Sequence, residues 1–213
     1  MSAGGEMPKK PPQLAKLTRP RLHKAVARER LFALLDEKRE QPVVWIVGPP
    51  GAGKTTLAAS YLEEAGVPAI WYQIDPGDSD PATFFYYLKQ AVEAVAKRRS
   101  KPLPLLTPEY LPDLPGFARS FLRNAFARLE DGVVLVFDNY HEVSKESSLH
   151  GVLKAALAEV PPGANIVVPG QYCHALVYQQ FRKFRGRILA TGDDDVGSRG
   201  YLRESGFEYA MER

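Results

Sequence analysis

The feature of this chain that most restricts its fold is the glycine-rich segment at positions 48–55, GPPGAGKT. It matches the pattern G-x-x-x-x-G-K-[ST], in which a loop connects a buried strand to a helix. The flanking residues suit that context. An apolar run at 43–47 precedes the loop, and Leu57, Ala58 and Tyr61 follow it at helical spacing. The segment therefore predicts a phosphate-binding loop in an α/β domain.

The chemistry of such a loop explains its residue types. Glycines allow successive backbone N–H groups to surround a polyphosphate, and the start of the following helix adds a positive dipole end. We expect Lys54 to reach the β- and γ-phosphates and the Thr55 hydroxyl to bind magnesium. A chance Gly/Pro turn before a helix is the alternative. The candidate nucleotide-binding residues are Gly48, Pro49, Pro50, Gly51, Ala52, Gly53, Lys54, Thr55 and Thr56.

A second candidate group lies where a later apolar run ends. Residues 135–137, LVF, are followed by Asp138, a pattern typical of a buried strand that carries a magnesium carboxylate beside the loop. Alone, Asp138 would be an ordinary turn residue, but together with the loop it predicts a metal site formed with Thr55. The predicted cofactors are ATP or ADP and Mg²⁺.

The residue after this aspartate bears on hydrolysis. Many ATPases with this loop have a carboxylate there to deprotonate the attacking water, whereas this chain has Asn139. An amide can orient water but cannot accept its proton. His141 and Glu142 are nearby substitutes, although roles in a turn are equally compatible with both. We predict slow or absent hydrolysis, with Lys54, Asp138 and Asn139 as the candidate catalytic residues.

Strand and helix patterns alternate along the chain, which predicts a parallel sheet covered by helices on both faces, the three-layer sandwich of P-loop NTPases. The predicted strands are 43–47, 69–74, 133–137 and 165–168, the last stopped by Pro169 and Gly170. The predicted helices are 28–40, 55–64, one that begins at Pro81, 116–129 and 149–160, with a loop at 98–115. In the helix that begins at Pro81, Asp80 is the predicted N-cap, and the predicted inward residues are Phe84, Leu88, Val92 and Val95. Residues 171–184 are compatible with a helix.

Composition sets the outer limits. With 213 residues, the chain suits one α/β domain at 16–190, between a disordered arm at 1–15 and an unassigned tail at 191–213. The single cysteine, Cys173, excludes an internal disulfide, and no apolar run is long enough to span a membrane, so we expect a soluble cytoplasmic protein.

The net charge of +3 is too small to argue for nucleic-acid binding. The basic residues near the N-terminus are interpreted as a solvated, flexible arm in preference to a phosphate-binding one: Lys9, Lys10, Lys16, Arg19, Arg21, Lys24, Arg28 and Arg30.

Several segments together resemble the nucleotide-binding domain of MalT-like, LuxR-type transcriptional activators, which belong to the STAND class of signal-transduction ATPases. These segments are KLTRP at 16–20, VARERL at 26–31, the loop at 48–55, WYQID at 71–75 with Asp78, Asp80 and Phe84, and FDNYHEV at 137–143. The resemblance covers roughly residues 14–168. Trp71 and Phe84 are interpreted as core residues rather than ligand contacts.

The resemblance implies a regulatory switch. ADP would hold an inactive monomer, whereas ATP and an inducer would permit self-association and activation of transcription. The segment from Val26 to Arg28 would lie near the adenine, with helix capping and a surface arginine as the alternative. DNA would be contacted through domains that this chain lacks, so we expect an excised domain, a truncated product or a diverged stand-alone protein.

One departure from the family concerns phosphate sensing. Relatives carry a Ser-Arg pair after the fourth strand, where this chain has Pro169, Gly170 and Gln171. Arg182, Arg185 and Arg187 are alternatives, although a solvated basic helix face is favoured. The same arginines could imitate the lid of a small phosphotransferase, such as a nucleoside or metabolite kinase, which is the competing functional interpretation.

Overall fold

The chain folds around a five-stranded parallel sheet. The computed structural model describes residues 14–22, 25–39, 41–97 and 101–170, together with the backbone of 186–190. The strands are β1 (Val43–Val47), β2 (Ala69–Gln73), β3 (Val134–Asp138), β4 (Asn165–Gly170) and β5 (Gly186–Ala190). Their order across the sheet is β2-β3-β4-β1-β5, and every pair is parallel.

Helices cover both faces of this sheet. They are α1 (Glu29–Lys38), α2 (Lys54–Glu64), α3 (Pro81–Glu93), α4 (Leu114–Phe126) and α5 (Leu149–Leu157). Alternate residues of each strand face opposite layers. One core joins the sheet to α3, α4 and α5, and the other joins it to α1 and α2. This arrangement confirms the predicted three-layer α/β sandwich.

The strand order determines where the site forms. Strand β4 lies between β1 and β3, and all three point the same way, so the loop after β1 and Asp138 at the end of β3 share one edge of the sheet. Helix α2 begins at that edge and packs on the face to which Val136 points. The fold thus brings the start of α2 close to the carboxyl end of β3.

Most predicted elements agree with the structure to within a few residues, and the differences have physical causes. Helix α4 begins at Leu114, ahead of the predicted Gly116, because Asp113 accepts a hydrogen bond from the Gly116 N–H at 2.9 Å and Pro115 suits a first turn. Part of the predicted loop forms a 3-10 helix at Pro108–Asp113. Val95 lies beyond the end of α3 and is exposed, so its predicted inward position is wrong.

The prediction that Pro169 and Gly170 end the fourth strand is also wrong, because β4 continues through both residues. Pro169 pairs with Ile46 of β1, whereas the pairing of β4 with β3 extends only to Val167. Because Pro169 lies beyond that pairing, its lack of an N–H removes no hydrogen bond to β3. Strand β5 was not predicted, and residues 171–185 lie outside the described part of the chain.

Lys16 joins an ion-pair cluster around the buried Asp78, contrary to its interpretation as part of a solvated, flexible arm. A 3-10 helix at Ala15–Leu17 directs Lys16 Nζ to Asp75 Oδ2 at 2.7 Å and to Asp78 Oδ2 at 2.8 Å. Asp78 is fully buried and also accepts a 2.6 Å hydrogen bond from the Tyr72 hydroxyl. The Lys16 ammonium lies 4.5 Å from the Tyr87 ring centroid. Residues 1–13 lie outside the described residues.

The carboxylate partners of Lys16 set its ionisation. Burial alone would lower the pKa of Lys16, but the hydrogen bonds to Asp75 and Asp78 and the negative charges of these residues together outweigh burial and raise the pKa. The hydrogen bond from Lys16 lowers the pKa of Asp75 below its ordinary 3.8. Lys16 and Asp75 are therefore held in their charged forms. Among the described residues, no helix is long and apolar enough to cross a membrane.

We predict that Lys16→Met lowers the free energy of unfolding by about 3 kcal/mol, because it leaves the buried Asp78 carboxylate without its counterion. Arg19→Met is the control: Arg19 meets Glu63 at 3.4 Å on the surface, and its loss should cost less than about 1 kcal/mol. Urea unfolding of both variants measures the difference. Equal effects would contradict a stabilising role for the buried cluster.

The pH dependence has a defined direction. Because the folded pKa of Asp75 is depressed, its contribution is present above pH 3.8 and is lost as the pH falls through the lower folded value. The stability difference between the parent and Lys16→Met should therefore shrink in acid, below about pH 4.

Candidate functional site

The loop between β1 and α2 has the backbone that a phosphate cradle requires. Gly51 has a φ of +80° and Gly53 a φ of +71°, both in the left-handed region, where side chains are strained. The Ala52 N–H donates to the Pro49 carbonyl at 3.2 Å and closes the turn. The sequence places glycine at the two positions where the loop reverses, so the geometry follows directly from the motif.

Helix α2 starts at the end of this loop without a side-chain cap. Its N-cap is Gly53, which offers no side-chain oxygen, and the first helical residue is Lys54. The first N–H groups of a helix have no partner within it, and they carry its positive dipole end. Uncapped N–H groups beside a left-handed loop are suited to binding an anion.

Lys54 supplies a cation at the same point. It is 9% exposed, and its Nζ donates to the carbonyls of Gly48 at 3.1 Å and Pro49 at 2.8 Å. Burial lowers the pKa of Lys54, while the nearby negative charge of Asp138 opposes that shift. The ammonium therefore lies inside the loop in an environment that favours an added negative charge.

Thr55 and Asp138 meet across the sheet edge. The Thr55 hydroxyl donates to Asp138 Oδ1 at 2.9 Å, and the N–H of Asn139 donates to the same oxygen at 3.0 Å. Asp138 is almost fully buried, and burial raises its pKa despite these hydrogen bonds. The site therefore contains a buried carboxylate whose negative charge a nearby cation would stabilise.

These two side chains also suit a magnesium ion. A hydroxyl and a carboxylate are hard oxygen ligands, and Mg²⁺ typically takes one or two of them and completes its shell with phosphate oxygens and water. No group of three or more His, Cys, Asp or Glu residues capable of holding a metal occurs within the described ranges. A magnesium ion here would therefore depend on oxygens from a ligand or from water.

The turn after Asp138 has unusual backbone geometry. Asn139 has a φ of +59°, a left-handed conformation that asparagine tolerates better than most residues. A 3-10 helix, Tyr140–Glu142, follows it, and His141 Nε2 lies 3.2 Å from Glu142 Oε1. The two predicted substitutes for a catalytic carboxylate thus pair with each other in this turn.

A buried histidine holds the turn in place. The Tyr140 hydroxyl lies 2.8 Å from His150 Nδ1, and His150 Nε2 lies 2.9 Å from the Ser144 carbonyl. A carbonyl only accepts, so Nε2 carries the proton and Nδ1 accepts from the tyrosine. Burial lowers the pKa of His150, in agreement with a neutral ring. His150 is not among the predicted site residues, because its partner lies ten residues away on another element.

The N-terminal segment passes beside the loop. Arg28 Nη1 donates to the Ala52 carbonyl at 3.2 Å, which brings the segment from Val26 to Arg28 next to the glycine-rich turn. The Val26 side chain is 85% exposed there, unusual for an aliphatic residue. Of the remaining predicted binding residues, Pro50 and Thr56 are exposed beside the loop and at the first turn of α2.

Other predicted residues lie away from this site or outside the described part. Trp71 and Phe84 are core residues, as predicted. Arg182 and Arg185 lie outside the described residues, and Arg187 is described only as backbone in β5.

Comparison with known proteins agrees with this geometry. The family model of the AAA ATPase domain matches residues 24–168. The HTH-type transcriptional regulator MalT of Vibrio cholerae is 34% identical over 161 residues, which are 72% of this chain and 17% of the relative. The regulator MalT of Cronobacter sakazakii is 30% identical over 186 residues, 85% of this chain and 20% of the relative. The chain thus spans a fifth or less of the length of these two regulators.

A solved structure gives the same fold. A Pyrococcus horikoshii STAND protein with a tetratricopeptide repeat sensor aligns with a TM-score of 0.56 at 17% identity, covering 85% of this chain and 25% of that one. The left-handed glycine loop, the uncapped helix start and the match over residues 24–168 agree, and the chain belongs to the AAA ATPase domain family.

Proposed function

We propose that this chain is the ATP-binding switch module of a MalT-like transcriptional regulator, and that it binds ATP or ADP with Mg²⁺ at the edge between β1 and β3. The observation that carries the proposal is the convergence of three groups. The Lys54 ammonium lies inside the loop, and Thr55 and Asp138 meet at 2.9 Å beside it. A magnesium–polyphosphate complex would supply the opposite charge to both the lysine and the aspartate.

The loop residues would bind the phosphates. The left-handed turns at Gly51 and Gly53 let the backbone N–H groups of Gly53 and Lys54 approach the chain of phosphates. The first N–H groups of α2 would add their dipole, while Thr56 lies beside them. Lys54 would exchange the Gly48 and Pro49 carbonyls for phosphate oxygens, which form stronger, charge-assisted hydrogen bonds.

Thr55 and Asp138 would hold the magnesium ion. The Thr55 hydroxyl uses its proton on Asp138, so its lone pairs are free to face a cation. Bound magnesium would neutralise charge on the phosphates. The raised pKa of Asp138 supports this role, because a divalent cation stabilises the ionised carboxylate that burial disfavours.

The N-terminal segment would bind the base. Arg28 lies against Ala52 of the loop, and the exposed Val26 side chain next to it offers an apolar surface for a purine ring. The choice of adenine follows the match to the AAA ATPase domain. The ion pairs of Lys16 would fix the segment, so that its contacts with the loop are kept.

Hydrolysis would be slow. Asn139 occupies the position after the magnesium carboxylate, and its amide cannot accept a proton from water. His141 and Glu142 are paired with each other, and this pairing restricts either of them as a substitute. Slow hydrolysis suits a switch, because the ATP-bound state then persists long enough to act on a partner.

The proposed regulatory role involves more than the nucleotide site. Both regulators compared above are transcriptional regulators of the HTH type, and this chain matches a fifth or less of their length. We assign the ATPase domain to 16–190, with self-association in the ATP state and contact with DNA made through domains other than this one.

We predict that Lys54→Ala weakens ATP binding at least about tenfold, because it removes a charge-assisted hydrogen bond to phosphate. Isothermal titration with ATP, ADP and GTP, with and without Mg²⁺, measures the change. Lys89→Ala is the matched control, since Lys89 pairs with Glu93 on α3. The proposal fails if Lys54→Ala holds ATP as tightly as the parent, or if the parent binds none at millimolar Mg²⁺.

We also predict that the parent turns over far more slowly than the 1 per second at the low end of typical enzymes. Asn139→Asp should raise turnover about a hundredfold, since it restores a proton acceptor in a residue that tolerates the left-handed backbone. Asn139→Gly is the control, because it relaxes the backbone without adding a carboxylate. Brisk parent turnover, or equal gains in both variants, would exclude this account of slow hydrolysis.

A further inference from the structure

A buried tryptophan lies on the same side of the sheet as the magnesium carboxylate. Trp71 is in β2, which pairs directly with β3, and its register partner is Val136. Asp138 follows Val136 by two residues, so the side chains of Trp71, Val136 and Asp138 share the face that α2 covers. The tryptophan therefore flanks Asp138 from the strand opposite to β4.

The polar atom of this side chain has no hydrogen-bond partner. Trp71 is 2% exposed, and its Nε1 is the buried side-chain nitrogen that lacks a partner among the described residues. Leaving a buried N–H unpaired is costly, and a phenylalanine would fill the core without that cost. The indole N–H thus needs a function that packing does not provide.

Asp138 offers a carboxylate acceptor on the same face. Trp71 and Asp138 are diagonal neighbours across the β2–β3 pair, a separation that an aromatic side chain can span. The hydrogen bonds from Thr55 and Asn139 both end on Oδ1. Because both donors bind the same oxygen, the orientation of the carboxylate about its Cβ–Cγ bond depends on a third contact.

We propose that Trp71 is a positioning residue for the metal site: its indole N–H donates to the Asp138 carboxylate and holds it in the orientation that faces magnesium. This inference rests on the proposed function, because it concerns the same carboxylate. The N–H is kept close to its acceptor by the rigid β2–β3 pairing and completes the hydrogen bond with a small rotation of the carboxylate. Trp71 itself touches neither the metal nor the nucleotide.

The test separates magnesium-dependent from magnesium-independent binding of ADP. Trp71→Phe should reduce the gain in ADP affinity caused by Mg²⁺ about tenfold, since hydrogen bonds to charged groups are worth about that much. ADP affinity in EDTA should stay within about twofold, because the loop and Lys54 are unchanged. Trp45→Phe is the matched control, since Trp45 is the chain's other tryptophan and packs against Tyr140 on the opposite core.

A shape-preserving change covers the case in which Trp71→Phe does not fold. In the Trp45→Phe background, Trp71 is the chain's sole tryptophan, so a tryptophan-auxotrophic host can replace it with benzothienylalanine, which has sulfur in place of the N–H. This protein should show the same loss of magnesium dependence. A normal magnesium response in it, or in a folded Trp71→Phe, would overturn the inference.

Fluorescence gives a readout independent of affinity. In Trp45→Phe with ADP bound, titration with Mg²⁺ should change the emission of Trp71, and Asp138→Asn should remove that change. If Mg²⁺ leaves the emission of the ADP-bound Trp45→Phe protein unchanged, the proposed contact is contradicted. If the unmodified protein binds no nucleotide, the proposed function fails; if it binds normally and only the Trp71 experiments show no effect, the inference alone fails.

Discussion

The contact between Thr55 and Asp138 is the interaction on which the rest of the site depends. It joins residues 83 positions apart at 2.9 Å, one at the start of α2 and the other at the end of β3. The contact exists because β4 separates β1 and β3 while all three strands point the same way. It fixes the hydroxyl and one oxygen of the carboxylate relative to each other before any ligand binds, so the site loses little conformational entropy on binding a cation.

Charge is distributed in a consistent way around this contact. Lys54 and Asp138 are both buried, and burial shifts the pKa of each toward its neutral form. Each side chain is therefore stabilised by a ligand of opposite charge, and a metal–phosphate complex presents both charges together. By contrast, Lys16, Asp75 and Asp78 satisfy one another within the protein, so that cluster stabilises structure.

The turn after β3 links the site to the helices behind it. Asn139 is held in a left-handed conformation, and Tyr140 is anchored by the neutral ring of His150 on α5. The Ser144 N–H donates to Ser79 Oγ at 2.8 Å, which ties the same turn to the segment before α3. The turn after Asp138 therefore connects the site to α5 and to the segment before α3.

The sequence by itself determined the loop, four of the five described strands and the residue types at the site, because each depends on local patterns. Apolar runs, helical spacing and glycines at 51 and 53 are visible within a few residues, and they led to Lys54, Thr55 and Asp138. The same local logic explains the errors: a proline after an apolar run normally ends a strand, and a basic N-terminal stretch is normally solvated.

Only the tertiary structure decided which distant residues meet. Pro169 stays in its strand because the neighbouring ladder has ended, and Lys16 is ordered because Asp78 is buried 62 positions away. Likewise, the position of the unpaired Trp71 N–H on the same face as Asp138 follows from the β2–β3 pairing, which no local pattern specifies. Local spacing encodes which face a residue takes, whereas the partner on that face is set by sheet order and packing.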